Sequence, residues 1–197
     1  MKSYTISNGP MHDAVPEAMI DTYLWENNGY TPRSSARLSL MGDTLFLRMR
    51  AEESNPLIRY YRGDPEPRVW CDSCLEIYIS PNNAPIYVNL EMNGAGSFLC
   101  LAGTERHGRV ACDIFAEEGQ PVAKVCDGYW QLDTALSLRK LAAICGVETV
   151  TSLRGNFYKC GDETALPHFG MWAEVGVSTP DFHRPEYFCP FLLPTQA

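Results

Sequence analysis

The stretch RVWCDSCLEIYISPNNAPIYVNLEMN, residues 68–93, decides the reading of this chain. Leu75, Ile77 and Ile79 alternate with Glu76, Tyr78 and Ser80, the period of a half-buried strand. Pro81, Asn82, Asn83, Ala84 and Pro85 break that strand, because proline lacks the ladder donor and asparagine favours turns. A second alternation follows, with Ile86, Val88, Leu90 and Met92 on one side and Tyr87, Asn89, Glu91 and Asn93 on the other. If the aliphatic sets face inward, the opposite face carries Glu76, Tyr78, Tyr87, Asn89, Glu91 and Asn93, with Trp70 at its entrance. Carboxylates, amides and aromatics together suit a polyhydroxylated ligand better than bare solvent.

Outward from this hairpin the chain continues to read as short strands and turns. Residues 18–25 form a first strand and Asn27, Asn28 and Gly29 a turn. Residues 35–41 and 44–53 alternate on either side of Gly42-Asp43 and predict a second hairpin. Residues 55–67 are loop, 97–102 an apolar strand and 103–108 a charged loop, and the stretch after them has little pattern. Residues 129–138 place Trp130, Leu132 and Leu136 inward; residues 137–145 are the single convincing helix, stopped at Gly146. Residues 150–159 put Leu153 and Phe157 on one face and Arg154, Asn156 and Tyr158 on the other. Residues 169–175 form a last strand carrying Trp172, and the aromatic tail 180–188 is expected along a sheet edge. Many short strands with one helix predict a single all-β domain over residues 1–197, an antiparallel β-sandwich of jelly-roll or immunoglobulin-like type.

The bulk properties remove several classes of function. A net charge of −8 and a pI near 5.0, without a basic cluster, argue against a nucleic-acid partner. No apolar run reaches the ~20 residues of a membrane helix. The first residues lack the apolar core of a secretory signal, so the chain as written is expected in the cytoplasm, or outside the cell if a leader had been removed. The sequence sets no oligomeric state. Without an oxidising compartment the eight cysteines read as reduced thiols filling the core. Cys71 and Cys74 have zinc-like spacing but no matching second pair, and they precede a strand where a redox pair would precede a helix.

The segments VWCDSCLEIYI (69–79), YVNLEMN (87–93), RGNFYKCGDE (154–163), HFGMW (168–172) and PDFHRPEYF (180–188) together resemble the family 9 carbohydrate-binding modules, and more closely the free-standing bacterial family 9-like proteins related to xylanase modules. The likeness runs from about Tyr30 to Phe188. It implies non-catalytic binding of a mono- or disaccharide end of glucose or xylose type, as in xylan or cellulose. Two tryptophans would sandwich the sugar, and Trp70 and Trp172 match them by position. Glu76 matches an acidic sugar-binding residue. The family's arginine has no aligned counterpart; Arg106, Arg109 and Arg154 are candidates, with Arg106 placed in the expected site. No cofactor is expected apart from the calcium that the resemblance implies, for which no acidic loop stands out. The expected ligand contacts are therefore Trp70, Glu76, Asn89, Glu91, Arg106, Asn156, Tyr158 and Trp172.

Each of these residues has a plainer reading. A sandwich commonly buries a tryptophan, which suits Trp70 or Trp172 equally. Glu76 and Glu91 would fit a salt-bridge network with Arg48 and Arg50 on a neighbouring strand. They would also fit a glycoside hydrolase, one acting as acid and the other as nucleophile. A third class, haem held by Met92 or Met171 with His168, draws only on the ligand types present.

Overall fold

Alternation in the central hairpin builds the layers. In the computed structural model, which describes residues 2–195, the strands in chain order are β1 (Tyr4–Thr5), β2 (Ser7–Asn8), β3 (Ala18–Ile20), β4 (Ser34–Met41), β5 (Thr44–Ala51), β6 (Cys74–Pro81) and β7 (Tyr87–Asn93). They continue with β8 (Phe98–Gly103), β9 (Val110–Ala111), β10 (Val122–Cys126), β11 (Tyr129–Ser137), β12 (Leu153–Cys160), β13 (Phe169–Met171) and β14 (Cys189–Leu192), and helix α1 is Leu138–Cys145. The larger sheet runs β1-β14-β12-β6-β7-β8-β9, with β13 also beside β12; the smaller runs β10-β11-β5-β4-β2, with β3 also on β4. The result is the expected sandwich. Pairing is antiparallel except at β1–β14 and β2–β4, so both sheets are mixed.

The expected hairpins form, and their ends show what stops each strand. Asn82 and Asn83 take φ of 51° and 54° at the turn between β6 and β7. The Asn82 Oδ1 accepts from the backbone of Thr151 and Ser152, at 2.8 and 3.0 Å, tying that turn to the start of β12. The strand expected to 138 ends at Ser137, whose Oγ caps α1 by accepting from Lys140 N at 3.2 Å. Gly146, at φ 69°, closes the helix as a left-handed cap. Two strands come out shorter than their patterns: β3 ends at Ile20 and β13 at Met171, and Thr22 and Met171 exchange a single bridge between them. The unpatterned stretch holds β9 and β10, edge strands whose valines stay exposed and which therefore show no clean period.

Between the sheets, Leu75, Ile77, Ile79, Val88, Leu90 and Met92 meet Leu38, Leu45, Leu47, Met49, Trp130 and Leu132, all essentially fully buried. Each such side chain contributes roughly 1.5–3 kcal/mol relative to exposure. Arg48 lies outside this core, bonding Asp133 and Asp13 on the outer face of the smaller sheet, and Arg50 stacks on Tyr129 at 3.7 Å. Neither arginine reaches Glu76 or Glu91, so the expected ion-pair network is absent. The strands belong to different sheets.

One charge does enter the core. Lys159 is fully buried, on the inner side of β12. Its Nζ donates to the Cys160 carbonyl at 2.9 Å and to His168 Nε2 at 2.7 Å, and lies 3.4 Å from Glu53 Oε2. Glu53 also accepts from Trp130 Nε1 and Ser73 Oγ, at 2.9 Å each. Burial alone would raise the Glu53 carboxyl, but Lys159 with the Trp130 and Ser73 donors holds it below the usual range. Burial and the Lys159 charge push His168 down to about 4. Glu53 follows β5 in the smaller sheet and Lys159 is the penultimate residue of β12 in the larger, so the cluster pins the two layers.

Breaking it is expected to be costly. Lys159→Met should lower unfolding free energy by about 3 kcal/mol in urea, because it strands a buried carboxylate. The unfolded chain protonates His168 near 6.5 while the folded chain waits until about 4, so this group's share of stability falls as pH drops through that window. A His168→Asn variant should therefore show a flatter pH-stability profile between those values than the wild type.

Candidate functional site

The outer face of the larger sheet is roofed over. The segment 180–188, expected along an edge, crosses this face before β14 joins the sheet. Phe182 stacks on Tyr158 with ring centroids 4.0 Å apart, and Phe188 meets Tyr87 edge-on at 5.4 Å. Trp70, in the single helical turn Val69–Cys71 ahead of β6, stands half-buried at one wall. Between them opens a cleft of about 410 Å³. Its floor is Glu76, Tyr78, Asn89 and Glu91; its walls include Trp70, Phe169, His183 and Arg109.

The floor follows from register. Glu76 sits directly opposite Glu91 across β6 and β7, and Tyr78 opposite Asn89. Directly opposed side chains place their Cβ atoms roughly 4.5–5.5 Å apart, so two carboxyl groups share one buried neighbourhood. Glu91 Oε1 accepts from Asn89 Nδ2 at 2.7 Å and from the Tyr78 hydroxyl at 3.2 Å. Arg109 Nε donates to Asn89 Oδ1 at 2.7 Å, which fixes the amide with its NH₂ toward Glu91. Arg109 also donates to the Tyr87 and Leu101 carbonyls, at 2.9 and 3.2 Å, and lies over the Tyr87 ring at 4.1 Å. Both internal bonds to Glu91 end on Oε1. Glu76 Oε2 and Glu91 Oε2 are left buried with no hydrogen-bond partner.

His183 closes a relay above them, with Nδ1 2.9 Å from the Tyr87 hydroxyl and Nε2 3.3 Å from that of Tyr78. Burial and the charges of Arg109 and Arg106 push it down to about 3, so it is neutral. Protonated at Nε2, it accepts from Tyr87 and donates to Tyr78, leaving the Tyr78 proton for Glu91. Burial, then the neighbouring Glu91, hold the Glu76 carboxyl well above its ordinary range. Burial likewise lifts Glu91 to about 7 against the donors Asn89 and Tyr78. The floor thus offers both a protonated carboxyl that donates and carboxyl oxygens that accept.

The sequence model for carbohydrate-binding family 9 matches residues 8–127 and 129–193, nearly the whole chain. The chain belongs to carbohydrate-binding family 9. Among curated proteins none matches the sequence. Three similar solved structures share the fold of this family 9 chain. One is a protein from Bacteroides uniformis described as carbohydrate-binding, 24% identical with a TM-score of 0.80, the alignment covering 98% of this chain and 99% of that one. The others are a family 9 module from Caldicellulosiruptor kristjanssonii in complex with glucose and with cellotriose. Each is 11% identical with a TM-score of 0.67, covering all of this chain and 97% and 95% of theirs.

Of the expected contacts, Trp70, Glu76, Asn89, Glu91 and Arg106 line the cleft of this family 9 protein, Arg106 at its exposed rim 3.8 Å from Asp181. Three lie elsewhere. Trp172 is 3% exposed in the core between the sheets, with Phe157 and Phe191 each at 5.7 Å, so it offers no face to a ligand. Asn156 binds both the N–H and the carbonyl of Ala173, at 2.9 and 2.8 Å, fixing the chain after β13. Tyr158 lies beneath the cleft with its hydroxyl donating to the Phe182 carbonyl at 3.3 Å. Arg154 donates to the Pro185 carbonyl at 3.2 Å, away from the site. Tyr78 and His183 are cleft side chains absent from the expected contacts, and Arg109, one of the three candidate arginines, also lines the cleft. Tyr78 was legible on the carboxylate face, whereas Arg109 and His183 depend on loop paths with no period.

The alternatives meet the same geometry. Met92 packs inside the core, Met171 lies on the other side of the sheet, and His168 is committed to Lys159 and the Leu166 carbonyl, so these three do not converge as haem ligands. Among the described residues no three His, Cys, Asp or Glu side chains converge on a point.

Two neighbouring buried carboxyls disfavour the fold above the pH at which the unfolded chain ionises them. Folded-state values raised above the unfolded ones make the folded chain bind the extra proton, so stability falls as pH rises through that interval. Glu76→Gln is therefore expected to raise the thermal midpoint at pH 8 by at least about 2 °C, or ~1 kcal/mol for a chain of this size, and to change little at pH 4. Calorimetry at the two pH values measures both.

Proposed function

We propose that this protein binds the end of a neutral saccharide in the cleft above Glu76 and Glu91, without cleaving it. The observation that carries the reading is the pair of buried, unpartnered oxygens, Glu76 Oε2 and Glu91 Oε2, on the floor of a walled cleft. A buried acceptor without a partner costs about 1–3 kcal/mol, and a ligand hydroxyl would remove that cost on binding. The cleft volume of about 410 Å³ falls within the roughly 300–1,000 Å³ typical of small-ligand pockets. Trp70 supplies a flat apolar face for the C–H side of a pyranose, with Phe169 as a second aromatic lining residue. Glu91 and the protonated Glu76 take and give hydrogen bonds to adjacent hydroxyls, while Arg109 and Asn89 hold Glu91 in place.

Membership of family 9 supports a carbohydrate ligand, and the glucose and cellotriose complexes of a structural neighbour support a glucose-type sugar. The ligands proposed are a mono- or disaccharide end of glucose or xylose type. The sandwich between two tryptophans is not part of the proposal, because Trp172 is enclosed in the core.

Isothermal titration with glucose, xylose, cellobiose and xylobiose tests the reading. Saturable binding is expected for at least one sugar, weakened at least about tenfold, or 1.4 kcal/mol, in Trp70→Ala and in Glu76→Gln. Trp172→Phe should leave affinity unchanged within about twofold while lowering stability. Absence of binding by the folded wild type, or binding untouched by Trp70→Ala and Glu76→Gln, would reject the site.

A further inference from the structure

On the far side of β8 from the cleft, two thiols meet. Leu101 pairs with Ala111 and Ala102 with Val110, so the next residues in register are Cys100 and Cys112. Cys112 N donates to the Cys100 carbonyl at 3.1 Å, and the two Sγ atoms are 3.6 Å apart. Opposed residues of an antiparallel ladder hold their Cα atoms roughly 4.5–5.5 Å apart, inside the window of about 4.4–6.8 Å that a disulfide requires. Closing the bond brings the sulfur atoms from 3.6 Å to roughly 2.05 Å. Among the other cysteines of the described residues, none has a second sulfur within hydrogen-bonding distance.

We propose that Cys100 and Cys112 are a reversible oxidation site, a dithiol that closes to a disulfide when exposed to a small disulfide such as oxidised glutathione. Cys112 is the half-exposed partner and Cys100 is 5% exposed, so the oxidant reaches Cys112 first. The Cys100 S–H donates to Cys112, and the nearby Arg109 cation adds to this in holding the Cys112 thiol below its ordinary range; Cys100 is correspondingly pushed up. The Cys112 thiolate attacks one glutathione sulfur, forming a mixed disulfide and expelling one glutathione thiolate. Cys100 then attacks the Cys112 sulfur, the S–S bond between protein and glutathione breaks, and a second glutathione thiolate leaves. The two thiol protons of the protein pass to the two glutathiones: the protein loses two electrons, and the oxidant gains them.

The bond would matter because of what it encloses. Residues 101–111 carry Leu101, Arg106, His107 and Arg109 to the cleft, and Arg109 orients Asn89 and through it Glu91. Closing Cys100 to Cys112 locks the two ends of that segment, whose outer strand β9 is otherwise an exposed edge of two residues. The chemistry of the thiols does not depend on the ligand proposed for the cleft, so each reading can fail alone.

The test is oxidation of the folded, reduced protein with oxidised glutathione, followed by thiol counting and non-reducing peptide mapping. The wild type is expected to lose two of its eight thiols, give a Cys100–Cys112 linked peptide and recover fully with reductant. Cys100→Ser should stop at a stable glutathione adduct on Cys112, which keeps the test valid if that variant folds less well than Cys112→Ser. A glutathione adduct that persists in the wild type, a link to any other cysteine such as Cys145, or retention of all eight thiols would overturn the proposal.

Discussion

Glu76 faces Glu91 because Leu75, Ile77, Ile79, Val88, Leu90 and Met92 all face the other way. A slip of one residue in β7 against β6 would carry Val88, Leu90 and Met92 to the outer face and Glu91 into the core. The core therefore holds the floor in place more strictly than any bond within the floor does. Six buried aliphatic side chains, each stabilising by roughly 1.5–3 kcal/mol, outweigh the repulsion and desolvation of two carboxyls. That surplus lets the site keep two buried oxygens without partners. The remaining elements follow the same register. β12 lays Tyr158 beside Glu76, β8 lays Leu99 beside Glu91, and the tail spans the face they make.

The same sheet holds a second buried charge system on its opposite face. Lys159, flanked by Tyr158 and Cys160 on the cleft side, points inward to Glu53 and His168. There, every group found a partner, whereas on the cleft side two oxygens did not. The two systems also respond to pH in opposite senses. Burial of neutral His168 favours the fold more as pH rises, and burial of the raised Glu76 and Glu91 favours it less. A fully satisfied cluster between the layers fits a fastening role, and an unsatisfied one opening into a cleft fits a ligand.

Most of the fold was legible because the strands that matter obey period two. The hairpins 34–51 and 74–93 and the strand 129–137 appear where alternation put them, and Ser137 and Gly146 bound the helix as their chemistry suggests. The parts that were not legible lack a period for a physical reason. β9 and β10 are exposed edges, β1 and β2 are two-residue parallel pairings, and the tail is held by ring contacts instead of a ladder. The site divided along the same line. Glu76, Tyr78, Asn89 and Glu91 could be read as one face, while Arg109 and His183 reach it from segments whose course no local pattern specifies.

The two tryptophans show how far parity carries. Met171 pairs with Tyr158, which lies on the outer face, so Met171 is outward and Trp172, one residue on, turns into the core. Sequence alone gave no register for β13 against β12, and without it the parity of Trp172 was open. Trp70 escapes the rule because it precedes β6 on a helical turn, where side chains do not alternate. The outer face of the central strands is already filled by carboxyls, an amide and tyrosines. A flat apolar wall for the same cleft therefore has to come from segments outside β6 and β7, as Trp70 and Phe169 do. The cleft thus combines a polar floor fixed by strand register with aromatic walls fixed by the turn before β6 and by β13. Variation in those wall-bearing segments can change what the walls accept while the aliphatic core keeps the two carboxyls where they are.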